Sequence, residues 1–481
     1  MQRELATLVR FEAGNDVRAD RERARGEFQG ELAVRVLVDA AVLRVAEPCK
    51  RFVWFSELTV HHDDESQKGR FRNRPEGRAK HVTQRRYGVG EAFATSFALK
   101  VVTRMLRSAL ACGLVLICLG GAALGQSAKD QQQQQQPTAL DLQYRNLDAH
   151  VTFVRTRNAD QYSIHSAKGI DEASFVPIGG IEQWVKIRGE DRANPVLLFL
   201  HGGPGDVTSC WSFALFAPWE KYFTVVQWDQ RGAGRTLAKT GPAIAPTLTV
   251  DRMAQDGSEL AEYLRKHLVK DKIILVAHSF GSLLGLQMVR ARPDLFYAYV
   301  GTGEVADEPK NYAVAYDALL KKARAVGNQR AIDELNKVGP PPYSSYAGYS
   351  VQRKWSNLFE GSNSFLDGMI GLTLEAPGCS VQDVNDSDAG QLLSGERLFP
   401  QTRSSGPKEL GLKFSVPIFF FQGAEDFSTP TALARDYLDA IQAPYKKFVP
   451  IQGAGHFAVF THSDQFLEKL VTQVRPLAIK P

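Results

Sequence analysis

Cysteine is scarce in this chain, with five in 481 residues, too few for a fold held together by disulfides. A strong charge of one sign is also missing. The 58 Lys+Arg and 53 Asp+Glu leave a formal net charge of +5. Residues 1–104 hold 20 of those basic and 15 of those acidic side chains, so 38 of each remain beyond and balance to zero. The basic excess belongs to one end, and the larger part lacks the clustered basic face that nucleic-acid binding requires. No ligand set at metal-site spacing and no phosphate-cradling glycine loop occurs, so no metal and no cofactor is expected. His61-His62-Asp63-Asp64-Glu65 has the residue types for a metal but no partners at structural spacing, and reads as a solvated loop. With 44% hydrophobic and 23% charged side chains, the chain can bury a large core.

Two compositional regimes meet near residue 105. Arg outnumbers Lys 16 to 4 before that point and equals it, 19 to 19, after it. Met105-Leu106-Arg107 leads into an apolar run from Ser108 to Leu119. Gly120-Gly121-Ala122-Ala123-Leu124-Gly125 follows, with Ala123 and Gly125 at the small positions of a cleavage site. That order of basic, apolar and small residues is the pattern of a secretory signal peptide over 105–125. Met105 is the only methionine between Met1 and Met253, so 1–104 reads as a disordered extension from an upstream start. The alternative is a single membrane span, since residues 108–125 are just long enough to cross a bilayer, but Gly and Ala dilute them. The small-residue site favours cleavage, export to a secreted or periplasmic location, and no stable membrane insertion afterwards. Cys118 follows Ile117, which argues against a lipoprotein anchor. Cleavage would remove Cys49, Cys112 and Cys118, leaving Cys210 and Cys379, a pair whose spacing does not show whether they meet. Six glutamines, Gln131 to Gln136, then open a linker and lead-in over 126–173.

Beyond the linker, patterning points to α/β architecture: a mostly parallel sheet with helices on both faces and an inserted helical cap. Residues 175–187 alternate about Gly179-Gly180 as a hairpin. Apolar runs at 196–200, 223–228 and 273–277 read as buried strands. Met253, Leu260, Leu264 and Leu268 share one face of an intervening helix. Strand signals stop after Tyr299-Val300 and return at 418–421. Between them lie a helical stretch over 311–338, ended by Gly339-Pro340-Pro341-Pro342, and another around Trp355. The core is therefore assigned to 174–304 and 411–481, with the cap at 305–410.

The chemistry-bearing residues sit at the ends of these strands. Ala277-His278-Ser279-Phe280-Gly281 follows one strand and opens a helix, with small residues on either side that let a tight bend expose Ser279. His201-Gly202-Gly203-Pro204-Gly205 ends another strand, where the Gly203 and Phe280 amides are candidate oxyanion donors. His201 itself reads as a structural residue. Asp426, with Glu425 as its rival, and His456 follow the last two strands. Ser279, Asp426 and His456 thus come in the chain order of a Ser–Asp–His triad on a strand–helix scaffold.

On these motifs the chain resembles an α/β hydrolase of the proline iminopeptidase type. His201 to Gly205 match that group's HGGPG element. Asp229-Gln230-Arg231-Gly232-Ala233-Gly234-Arg235-Thr236 match its DQRGxGRS element, with threonine for serine. The resemblance covers residues 174–477 and implies a serine peptidase acting through an acyl-enzyme, releasing N-terminal residues, proline favoured. It also implies a cap carboxylate for the substrate's amine. Trp355-Ser356-Asn357-Leu358-Phe359-Glu360 departs from the group's W-x-x-W-E by one position. Glu360, Trp355 and Glu304, the last just past a core strand, are the candidate substrate-binding residues. An esterase-like hydrolase of small acyl esters or amides is the alternative, and a non-catalytic ligand-binding relative is a third reading. Either way the expected partner is a peptide or small acyl substrate. Fold relatives that attack with aspartate are disfavoured by a serine at the elbow.

Overall fold

The computed structural model describes residues 139–479, so the extension, the signal-like segment and the glutamine tract lie outside the described residues. The described chain begins with helix α1 (Ala139–Gln161), hairpin strands β1 (Ile170–Ile178) and β2 (Ile181–Gly189), and β3 (Val196–Leu200) and β4 (Thr224–Asp229). Then come α2 (Val250–His267), β5 (Ile273–His278), α3 (Phe280–Ala291) and β6 (Phe296–Thr302). All eight strands, closed by β7 (Ile418–Gly423) and β8 (Lys446–Ile451), form one sheet in the order β1-β2-β4-β3-β5-β6-β7-β8. The β1–β2 and β2–β4 pairs are antiparallel, and the remainder of the sheet is parallel.

Strand alternation divides the core between the two faces of the sheet. Leu198, Leu200, Leu275, Phe420 and the α2 residues Met253, Leu260 and Leu264 pack on one side. Leu197, Phe199, Ile274, Val276, Phe419 and Phe421 pack on the other, against Trp211, Trp219 and Phe466. Because both faces are covered, these strands are mostly apolar, with polar residues such as His278 and Gln422 confined to their carboxyl ends, and each fully buried Phe contributes roughly 1.5–3 kcal/mol relative to exposure.

The cap is helical: α4 (Glu308–Ala325), α5 (Gln329–Val338), α6 (Tyr346–Phe359), α7 (Asn363–Glu375) and α8 (Val381–Thr402). The stretch expected as one helix over 311–338 is two. Gly327 turns with φ +64°, and the Asn328 side chain accepts the Ala331 N–H at 3.0 Å to start α5. A second correction concerns the lead-in, which carries the 23-residue α1 instead of linker alone. Val154 is buried, Arg155 Nε donates to Leu374 O at 2.6 Å, and Asn158 Nδ2 donates to Glu375 O at 3.1 Å. This helix is held by the end of α7, far away in sequence, and carries little apolar periodicity of its own. The hairpin also begins earlier than expected, at Ile170.

Cap and core are joined covalently by the Cys210–Cys379 disulfide, with Cα atoms 6.0 Å apart. Nearby, Arg235 pairs with Asp383 at 2.6 Å and donates to Gly378 O at 2.6 Å. The second arginine of that loop, Arg231, pairs with buried Asp256 of α2 at 2.6 Å and donates to Gly179 O in the β1–β2 turn at 2.7 Å. No helix among the described residues is long and apolar enough to cross a membrane.

Candidate active site

From β3 the chain passes to β4 on one side of the sheet, whereas β5 lies on the other. The carboxyl ends of β3 and β5 therefore open a crevice at the point where strand order reverses, the place where α/β sheets bind ligands. The turn after β3 and the elbow after β5 face each other across it. They approach so closely that a Cβ on Gly202 would stand 2.9 Å from Ser279 Cβ. The helix behind the elbow is equally tight, since a Cβ on Gly281 would meet Leu200 O at 2.6 Å. Ser279 itself has φ +54°, an uncommon conformation for a residue with a side chain, and its N–H donates to Thr302 O at 3.0 Å.

Ser279 Oγ lies 2.9 Å from His456 Nε2, and His456 Nδ1 lies 3.0 and 3.2 Å from the two oxygens of Asp426. These partners assign the tautomer: Nδ1–H donates to the carboxylate, and Nε2 accepts from the serine hydroxyl. Asp426 is buried and accepts further bonds from Ser428 N (2.9 Å), Thr429 N (2.7 Å), Thr429 Oγ1 (2.7 Å) and Gln422 Nε2 (2.9 Å). Its rival Glu425 is exposed. Burial alone would lower the His456 pKa. The charge and hydrogen bond of Asp426, with the Glu360 charge beside them, outweigh it and raise the pKa above the ordinary value.

The candidate oxyanion donors flank the serine. Gly203 lines the cavity with φ +112°, and the Phe280 N–H, at the first position of α3, has no intrahelical acceptor. His201 is buried behind them, with Nδ1 3.0 Å from Gly202 O and Nε2 accepting the Gln230 N–H at 3.2 Å. It braces the turn. Among the described residues, the grouping richest in metal-ligand types is Cys210, Cys379 and Asp383, but the disulfide leaves it no thiolate.

The three candidate substrate-binding residues do not line the cavity. Glu304 is fully buried in the core, accepting the Tyr299 hydroxyl at 2.8 Å, and burial pushes its carboxyl up to about 8. The turn after β6 aims it back beneath the sheet end. Trp355 is buried among Leu319, Ala331 and Leu335 within the cap, and its Nε1 donates to Glu334 at 3.0 Å. Glu360, the C-cap of α6, does reach the Asp426 and His456 loops, but both its oxygens are taken. Oε1 accepts the Phe427 N–H at 2.6 Å and Oε2 the His456 N–H at 2.8 Å. It ties the Asp426 and His456 loops together, and burial raises its pKa to about 7.

Instead Glu308, at the start of α4, faces the cavity beside Ser279 and His456, among Tyr312, Tyr346, Tyr349 and Phe399. Burial raises its pKa to about 7, against the opposing pull of polar neighbours and His456. Sequence reading missed it because Glu308 is followed by Pro309, the ordinary signature of a first helical turn. The closely spaced tyrosines of 343–349 were the available signal for an aromatic cavity.

Residues 195–463 match the family model for the α/β hydrolase fold, and the chain belongs to that family. It is similar to the probable aminopeptidase YbaC of Bacillus subtilis, 27% identical over 61% of this chain and 93% of that one. It is also similar to the proline iminopeptidase of Lactobacillus helveticus, 22% identical over 61% of this chain and 95% of that one. A proline iminopeptidase-related protein from Thermus thermophilus superposes with TM-score 0.47 and 20% identity, over 64% of this chain and 99% of that one.

Proposed function

We propose that the protein is a secreted serine aminopeptidase of the proline iminopeptidase type. The observation that carries this reading is the Ser279–His456–Asp426 relay opening onto a cavity that also holds Glu308. Ser279 Oγ attacks the carbonyl of the substrate's first residue while His456 Nε2 takes its proton. The amides of Gly203 and Phe280 receive the developing oxyanion. As the tetrahedral intermediate collapses, the C–N bond breaks and His456 returns the proton to the leaving amine. Water, deprotonated by His456, then releases the first residue from Ser279. Glu308 holds the protonated amine, a charge whose burial without an anionic partner would cost several kcal/mol. The tyrosines and Phe399 form an apolar wall against which a compact side chain such as a proline ring packs.

The deciding experiment is a substrate panel on the chain beginning at Gln126. Free-amine aminoacyl arylamides, proline foremost, are expected to be cleaved at least tenfold faster in kcat/KM than their N-acetylated counterparts. Equal cleavage of blocked substrates or simple esters would make the protein an esterase-like relative. Export is supported by the signal-like segment and by the Cys210–Cys379 disulfide, a bond favoured in oxidising compartments. The intact mass of exported protein should match a chain starting near Gln126, and peptides from residues 1–104 in its native host would overturn the upstream-start reading.

A further inference from the structure

A second chamber adjoins the first at the serine. Gly203, Ser279, Tyr349, Ser428 and His456 border both, so a bond attacked by Ser279 lies at the partition between them. In an aminopeptidase the residue carrying the free amine occupies the Glu308 chamber, and the leaving group must occupy the other. That second chamber contains Arg353, projected from cap helix α6. Its Nη1 donates to Gly203 O at 3.4 Å and to the Tyr346 hydroxyl at 3.2 Å. A guanidinium carries five N–H donors, so most remain available.

Among the described residues, no carboxylate lies within ion-pair distance of Arg353. Asp206 shares the chamber and acts on the guanidinium by charge alone. A hydroxyl there that can donate, Ser428 Oγ, is also buried without a partner. A largely buried cation that lacks an ion-pair partner, beside an unsatisfied hydroxyl donor, is costly unless an anionic ligand completes it.

We infer that Arg353, with Ser428, receives the α-carboxylate of the residue that leaves, so that the preferred substrates are unblocked dipeptides. This rests on the aminopeptidase reading. It adds that the enzyme measures its substrate from both ends, amine at Glu308 and carboxylate at Arg353, with the peptide bond presented to Ser279 between them. Hydrolysis consumes one water and yields two free amino acids. Asp206 competes electrostatically with an incoming carboxylate, which sets the expected preference near the low end for a charge-assisted hydrogen bond.

The test compares an unblocked dipeptide with its C-terminal amide, the same two residues in each. Wild type should favour the acid about tenfold in kcat/KM, expressed in KM. R353Q should bring the acid-to-amide ratio to about one, and R353K should restore part of it. A merely structural role for Arg353 would depress both substrates and leave the ratio alone. Equal cleavage of acid and amide by wild type, or a ratio unchanged in R353Q, overturns the inference. The aminopeptidase reading is tested separately. Calorimetry on Ser279→Ala with N-acetylglycine and N-acetylglycinamide, neither bearing a free amine, reads the second chamber alone. The acid should bind more tightly than the amide, and adding R353Q should abolish the difference. If that binding difference appears while no free-amine peptide is cleaved, the aminopeptidase reading fails and the anion site stands. If acid and amide bind alike, the anion site fails.

Discussion

In the sheet, every residue of β3, β5 and β7 is buried and the side chains alternate into two apolar layers. In the cap, helices such as α4 and α5 bury one narrow face and leave the rest in water. The sheet supplies the groups that would do chemistry, each on a tight turn at a carboxyl strand end: Ser279, Asp426 and His456. The cap supplies groups that line the two chambers and would touch what the chemistry acts on, Glu308, Arg353 and the tyrosines. A rigid layer suits atoms that must be held within tenths of an ångström, and a helical insertion can change its lining without disturbing that layer. Glu360 is the exception that joins them, a cap residue whose carboxylate clasps the backbone of the Asp426 and His456 loops.

If this division is right, removing a sheet residue should abolish turnover without altering affinity. Ser279→Ala is expected to cost several orders of magnitude in kcat, leave thermal stability within about 1 kcal/mol, and abolish labelling by an organophosphonate. Labelling that persists would reassign the nucleophile.

Changing a cap residue should do the reverse. Glu308→Gln should raise KM for free-amine substrates roughly ten- to a hundredfold, with a smaller change in kcat. Glu308 titrates near 7 and must be ionised to hold an ammonium, while the substrate amine loses its proton near 8. KM should therefore be lowest between those values, rising on acidification as Glu308 is protonated. The Gln variant should lose the acid limb of KM but keep the acid limb of kcat, which belongs to His456. An unchanged KM profile in Glu308→Gln would remove this residue from substrate binding.

A third effect, on stability and not on turnover, separates the sheet's folding from its chemistry. Glu304 titrates at about 8 in the fold, whereas an exposed glutamate does so near 4.5. Between those values the folded protein keeps a proton that the unfolded chain has released, so stability falls as pH rises through the window. Glu304→Gln should flatten that slope and be more stable than wild type at pH 8 by up to a few kcal/mol, with little difference at pH 4.5. Denaturant melts at the two pH values read it directly.

Most of the sheet was legible in the chain because a strand covered on both faces must be an apolar run, and a run such as 196–200 has few other uses. The elbow at Ser279, the turn at His201 to Gly205 and the order of Asp426 and His456 were legible for a related reason: tight turns at strand ends restrict which residues fit. The family resemblance favoured Asp426 over Glu425, and the fold buries Asp426 against His456 while Glu425 is exposed. Helix α1 was missed because its ties run to α7 through hydrogen bonds to backbone carbonyls, which leave little trace in apolar spacing.

By itself, then, the amino-acid order determined the class of fold, the strands and the relay, all of which follow from local pattern and steric rule. The cavity's lining was decided only in three dimensions. Glu304, Glu308 and Glu360 lie within one stretch of chain and are chemically identical, yet one is buried against Tyr299, one faces the cavity and one clasps two loops. A carboxylate's role depends on which atoms surround it, and those atoms come from distant parts of the chain, so sequence spacing carries no record of the outcome.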